Sequence, residues 1–101
     1  MDIHFDYNQV KASERLESLT IQKLNKIADK YDFIVRAEVL FKKENTSSPN
    51  TGMICNIRLS VPGPLLFSEA SHGGFEASIA EACEDLERQL RKRKDKLKNR
   101  T

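Results

Sequence analysis

The chain has little of what catalysis and metal binding draw on. Two histidines and two cysteines are all it offers in 101 residues. Cys55 and Cys83 stand far apart without CxxC spacing, which encodes neither a disulfide scaffold nor a zinc site. Both fall on apolar faces of predicted elements and read as reduced core thiols. His4 and His72 are accompanied by no HxxxH, GxSxG, GxxxxGKS/T or GxGxxG pattern, and His72, beside Gly73 and Gly74, reads as a solvent-exposed turn residue. Glu84 with Glu87, and Glu81 with Asp85, lie at helical spacing; a solvated helix face explains such pairs more simply than a carboxylate dyad. The expectation is therefore a protein that is not an enzyme, with no cofactor, no metal and no small-molecule substrate.

Long apolar runs are missing too. None approaches the roughly 20 residues a membrane span needs, and Met1-Asp2-Ile3-His4 has neither the basic nor the apolar region of a secretory signal. A cytoplasmic protein without membrane contact is expected. The content of 39% hydrophobic and 32% charged residues is that of a globular chain rather than a disordered one. A chain of this length makes one domain, 1–101, around one core. No internal repeat, low-complexity tract or linker divides it.

The apolar pattern supplies the elements. Ile3, Phe5 and Tyr7 alternate with His4 and Asp6, which predicts a strand at about 2–7. Ser13 can cap the free N–H groups of a helix start, and Glu14 and Glu17 suit the positive end of its dipole. Leu16, Leu19, Leu24, Ile27 and Tyr31 then recur at helical steps, predicting a helix at about 14–31. From Phe33 the period becomes two: Val35, Ala37, Val39 and Phe41 point one way, Arg36, Glu38 and Lys42 the other. The polar segment Glu44 to Gly52 reads as a hairpin loop into a third strand carrying Met53, Cys55, Ile57, Leu59 and Val61 inward. Pro62-Gly63 suits a type II turn, and Leu65 to Ala70 makes a fourth strand. Phe75, Ile79, Ala82, Cys83, Leu86, Leu90 and Leu97 hold one stripe of a second helix at about 75–98. The fold class is α+β, a two-layer β-α-β-β-β-α sandwich, with both helices on one face of a four-stranded sheet.

The net charge of +2 hides a sorting. Residues 76–87 carry five acids and no base. From Arg88 to Arg100, eight of thirteen residues are basic: Arg88, Arg91, Lys92, Arg93, Lys94, Lys96, Lys98 and Arg100. On the first helix Lys23, Lys26 and Lys30 form a stripe, with Arg15 nearby, and two parallel or crossing helices would present both sets on one surface. Cations at a helix C-terminus favour the macrodipole, but that accounts for two or three charges. Each further one gains less from the dipole and meets more repulsion, so a polyanion is the better reading, bound through phosphates with steep salt dependence. The presumed outer face of the sheet shows Arg36, Glu38, Asn56 and Arg58 but no pair of exposed aromatics, which disfavours base stacking there and favours structured RNA read by shape and phosphate. The alternative is a protein-interaction module, independent of RNA, whose basic helix docks on an acidic partner.

These residues also carry a family pattern. The element order, Val10-x-x-Ser13-x-x-Leu16, Lys23-Leu24, Val61-Pro62-Gly63, and above all Ala77-x-Ile79 followed by Leu86-Glu87-Arg88-Gln89-Leu90-Arg91-Lys92-x-Lys94 resemble the ribosome hibernation-promoting factor family. That family includes ribosome-associated inhibitor A and was once labelled sigma-54 modulation protein. The resemblance spans about residues 2–94 and is most specific in the last helix. It implies a fold similar to the double-stranded-RNA-binding domain with one added strand, and a role in stationary phase or stress. It also implies occupancy of the mRNA and tRNA channel of the small ribosomal subunit, with basic residues of both helices on ribosomal RNA and no catalysis. Carried over by position, Lys23, Lys26, Arg88, Arg91, Lys92 and Lys94 are the RNA-binding residues; Lys30 and Lys98 are added on charge alone. The chain departs from the pattern at Glu17, Glu76 and Asp85, and has Tyr7-Asn8 where a glycine usually follows the first strand. A short form, monomeric when free and leaning toward the type that promotes ribosome dimers, is the expectation, with the last few residues a flexible tail that becomes ordered on RNA.

Overall fold

The computed structural model describes residues 1–98, and side chains through residue 96. Strand β1 (Asp2–Asn8) is followed by helix α1 (Glu14–Lys30), strands β2 (Arg36–Lys43), β3 (Met53–Ser60) and β4 (Leu66–His72), and helix α2 (Phe75–Lys98). The strands lie in the order β1-β2-β3-β4. β1 runs parallel to β2, and the other two pairings are antiparallel. This is the expected two-layer arrangement; the tail beyond Lys98 lies outside the described residues.

Parity decides the core. Ala37, Val39 and Phe41 of β2, with Cys55, Ile57 and Leu59 of β3, are buried almost completely on the face that meets the helices. α1 adds Leu16, Leu24 and Ile27, and α2 adds Ile79, Ala82, Cys83, Leu86 and Leu90. Phe41 is the hub of an aromatic cluster, with ring centroids 6.2 Å from Phe5, 5.5 Å from Tyr7 and 5.5 Å from Phe75. Burial pushes the Cys55 thiol up to about 12, so in this apolar setting it stays protonated. Among the described residues no buried side-chain nitrogen or oxygen lacks a partner. Thr20 donates to the Leu16 carbonyl at 2.7 Å, and Ser78 donates to the Met53 carbonyl, joining α2 to β3.

The ends of the elements follow local chemistry. Ser13 is the cap of α1, its hydroxyl accepting from the Leu16 N–H at 3.3 Å. Tyr31, expected inside the helix, is its buried C-cap, with its N–H on the Ile27 carbonyl. Gln9 takes φ +59°, a left-handed backbone that a glycine adopts more easily, just after β1 ends. Gly63 takes φ +88°, as a type II turn demands. A Cβ at Gly73 would collide with the Pro49 carbonyl, so only glycine lets the Glu44–Gly52 loop close over this corner.

Three sequence expectations need correcting. Val35 does not point into the core; it lies before β2, 65% exposed, and Ile34 is buried in its stead. Leu65 belongs to the turn and is exposed, so β4 starts one residue later. β4 also runs on to His72, which pairs with Met53. His72 is therefore no free turn residue: its Nε2 lies 2.6 Å from a Glu81 carboxylate oxygen of α2.

Leu86 and Leu90 are fully buried where α2 crosses the sheet. Cutting Leu86 to Ala is expected to cost roughly 2–5 kcal/mol, read as a lowered denaturant midpoint with an unchanged slope. Removing the cap with Ser13→Ala is expected to cost about 0.5–2 kcal/mol in the same measurement.

Candidate nucleic-acid interface

α1 and α2 lie side by side and run in the same direction, as three contacts along their length show. Arg15 meets Glu76 at 3.0 Å near both N-termini, Lys30 meets Glu87 at 2.9 Å further on, and the Lys94 ammonium sits 5.6 Å from the ring centre of Tyr31, where α1 stops. α2 is the longer helix, 24 residues against 17. At about 1.5 Å per residue it overruns its neighbour. Its last buried side chain among the described residues is Leu90. From Arg91 onward it leaves the core behind, and Arg91, Lys92 and Lys94 are exposed.

The first-helix lysines do reach α2. Lys23, Lys26 and Lys30 line one wall of a groove floored by Ile27, Ala80 and Cys83. The opposite wall is not basic, which the sequence did not disclose: it is Glu84 and Glu87. The Cys83 thiol on the floor is pushed up to about 11, chiefly by desolvation, while Lys23 pulls it down and Glu87 pushes it up.

Helical spacing divides the second-helix cations further. Arg88 turns toward β4 and lies 3.4 Å from Asp85, in a depression shared with Ser68, Glu69 and Glu81. Arg93 turns to the same side and donates to the Pro62 carbonyl at 2.7 Å, tying the overhanging helix to the β3–β4 turn. Arg91, Lys92 and Lys94, with Lys23 and Lys26 of α1, form no salt bridge among the described residues. Lys98 closes α2, and its side chain lies outside the described residues. On the outer face of the sheet Phe67 is a single exposed aromatic, opposite Arg58, so no stacking pair is formed there.

The acids at which the chain departs from the family pattern each have a local task. Glu17 accepts from the Tyr7 hydroxyl at 2.6 Å. Burial raises the pKa of that tyrosine, and the hydrogen bond to Glu17 raises it further. Glu76 holds Arg15. Asp85 accepts from the Gln89 amide at 2.7 Å, and the same amide donates to the Phe67 carbonyl at 2.8 Å on the free edge of β4. Desolvation raises the Asp85 pKa, but hydrogen bonds from Ser68 and Gln89 and the charge of Arg88 outweigh it, and the net shift is downward.

Among the described residues no group of three or more His, Cys, Asp or Glu is placed to hold a metal ion, and no helix is long and apolar enough to cross a membrane. What the geometry offers is a two-layer α+β domain presenting a pair of parallel helices, with cations concentrated where the longer one overhangs. The chain belongs to the family described as Sigma 54 modulation protein / S30EA ribosomal protein, whose model matches residues 3–98. It is 25% identical over 96 residues to a ribosome hibernation promoting factor of Pseudomonas putida, covering 95% of this chain and 89% of that one. Its structure is similar to that of a ribosomal subunit interface protein from Coxiella burnetii, with a TM-score of 0.78, 25% identity, and coverage of 94% of this chain and 99% of the other. The N-terminal domain of Protein Y from Thermus thermophilus has the same fold, with a TM-score of 0.74 at 19% identity, covering 91% of this chain and 98% of that one.

Because the folded-state pKa of Asp85 is depressed, its carboxylate stabilises the fold above the ordinary carboxylate range and loses that effect as pH falls through the folded value. Asp85→Asn is expected to lower the melting temperature modestly at neutral pH. The gap to the parent should close on acidification in a pH series of thermal melts.

Proposed function

We propose that this protein is a ribosome hibernation factor that silences translation by occupying the mRNA and tRNA channel of the small subunit, in the cytoplasm, without catalysis. The observation that carries the proposal is the cation cluster Arg91, Lys92 and Lys94, exposed beyond the last core contact of α2, with Lys23 and Lys26 beside it. Arg91 and Lys92 so placed have no packing role to explain them, and Lys94 is engaged only with the face of the Tyr31 ring. They are within the chemistry of ribosomal RNA, whose phosphates take Lys and Arg without regard to sequence. Arg88 joins them if its weak surface pair with Asp85 opens, which costs no more than about 1 kcal/mol. Lys30, which is paired with Glu87, and Lys98 are added on charge alone. The names of the Pseudomonas and Coxiella relatives, and the family itself, support the ribosome as the polyanion. Binding as a monomer needs only one copy of the helix pair.

Sedimentation of the protein with small ribosomal subunits on a gradient tests the reading. Co-migration at low salt, weakening steeply as salt rises, is the expected result; recovery only in the free fraction at low salt would sink it. Changing Arg91 and Lys92 together to Ala is expected to weaken binding and to flatten the salt dependence by about 1.5–2 in log–log slope, with the melting temperature held. Equal losses of stability and binding would assign the two side chains to the fold. Ribonuclease treatment separates an acidic protein partner, whose capture it would leave intact.

A further inference from the structure

The groove between the helices is the natural track for a strand of nucleic acid following the lysine stripe of α1, yet its other wall is acidic. A phosphate chain laid along Lys23, Lys26 and Lys30 would pass Glu84 and Glu87 over its whole course. Glu87 has already claimed Lys30 at 2.9 Å, and its side chain is only 28% exposed, so it cannot swing far from the groove. Glu84 is exposed and forms no salt bridge among the described residues, leaving a full negative charge facing the track. Three ammonium groups against two carboxylates leave little net attraction for a polyanion that enters here. The cations beyond Leu90 meet no such opposition from α1, because α1 has ended.

We infer that Glu84 and Glu87 are specificity-determining residues: they refuse a continuous polyanion in the groove, so that RNA is held only where its folded shape reaches from Lys23 and Lys26 across to Arg91, Lys92 and Lys94. Discrimination of this kind comes from placing like charge against the wrong partner rather than from added contacts to the right one. A flexible single strand seeks the longest run of cations and is penalised by the acidic wall. A folded RNA with phosphates at the two rims bridges over the wall. Lys30, for the same reason, is held in reserve by Glu87 and adds little to the count of phosphate contacts. This inference rests on the RNA-binding reading above.

The test compares poly(U), a generic single strand, with purified small ribosomal subunits, each across a salt series. Replacing both acids, Glu84→Gln with Glu87→Gln, is expected to tighten poly(U) binding roughly three- to tenfold and to steepen its log–log salt slope by about 0.7 for the lysine set free. Affinity for small subunits should change less, so the ratio of the two affinities falls. Unchanged or weaker poly(U) binding overturns the inference, as does an equal gain on both RNAs. A further variant decides whether Glu87 withholds a lysine. Adding Lys30→Gln to the protein that carries both Glu→Gln changes should lower its poly(U) slope again by about 0.7, back toward that of the parent; an unchanged slope on that addition overturns the claim that Glu87 withholds Lys30. Failure of the parent protein to bind small subunits strikes the ribosome reading alone, since the poly(U) measurements still decide the role of the acids.

Discussion

Burial of one stripe of α2, from Ile79 to Leu90, against the sheet is the constraint from which the rest of the surface follows. Once those side chains face inward, the rotation of the helix is fixed, and every charged residue between them is assigned a side. Glu84 and Glu87 are sent toward α1, Asp85, Arg88 and Gln89 toward β4, and Lys92 toward solvent. No charge selects its own place. A helix surface repeats every 3.6 residues, so a sequence that sorts charge along the chain still distributes it around the axis. That is why a run of cations becomes several small sites with different neighbours.

Much of the fold was legible in the sequence because its signals are local. The period-two runs through Phe41 and Ile57, the Ser13 cap and the Pro62-Gly63 turn each state their own geometry within a few residues. Alternation misleads where it continues past the end of strand pairing. Val35 continues the β2 pattern on paper, but the turn from α1 delivers Ile34 to the core first, and β2 begins only at Arg36. Leu65 is apolar like the strand that follows, yet it lies in the turn and is exposed.

The candidate site was legible in its residue types and not in its neighbours. Lys23, Lys26 and the cations from Arg88 onward stand out from charge sorting and from the family pattern. That Lys30 meets Glu87, 57 positions away, follows from the relative height of two helices on a sheet, which no local signal encodes. The same holds for Arg93 and Pro62, and for Gln89 and Phe67. Asp85 shows the other side of this: as a departure from a pattern it suggests a weakened site, yet in place it secures α2 to an exposed strand edge.

Counting cations therefore overstates the free positive surface and understates its order. Of the basic run, Arg93 is engaged with the β3–β4 turn and Lys94 rests on Tyr31, so two charges anchor the overhang that the others extend. Those anchors matter because a helix end crowded with like charge, and without apolar contacts, is held by little besides its own hydrogen bonds and the favourable dipole. Tethered on one flank to the sheet and on the other to the end of α1, the overhang keeps a defined direction. Arg91 and Lys92 are then carried on a tethered arm rather than on a fraying one, so that in the proposed RNA-binding role less conformational entropy would be lost when phosphates meet them. The core ends at Leu90, the tethers begin three residues later, and the exposed cations lie between and around them, so one helix packs through one set of turns and presents charge through the next.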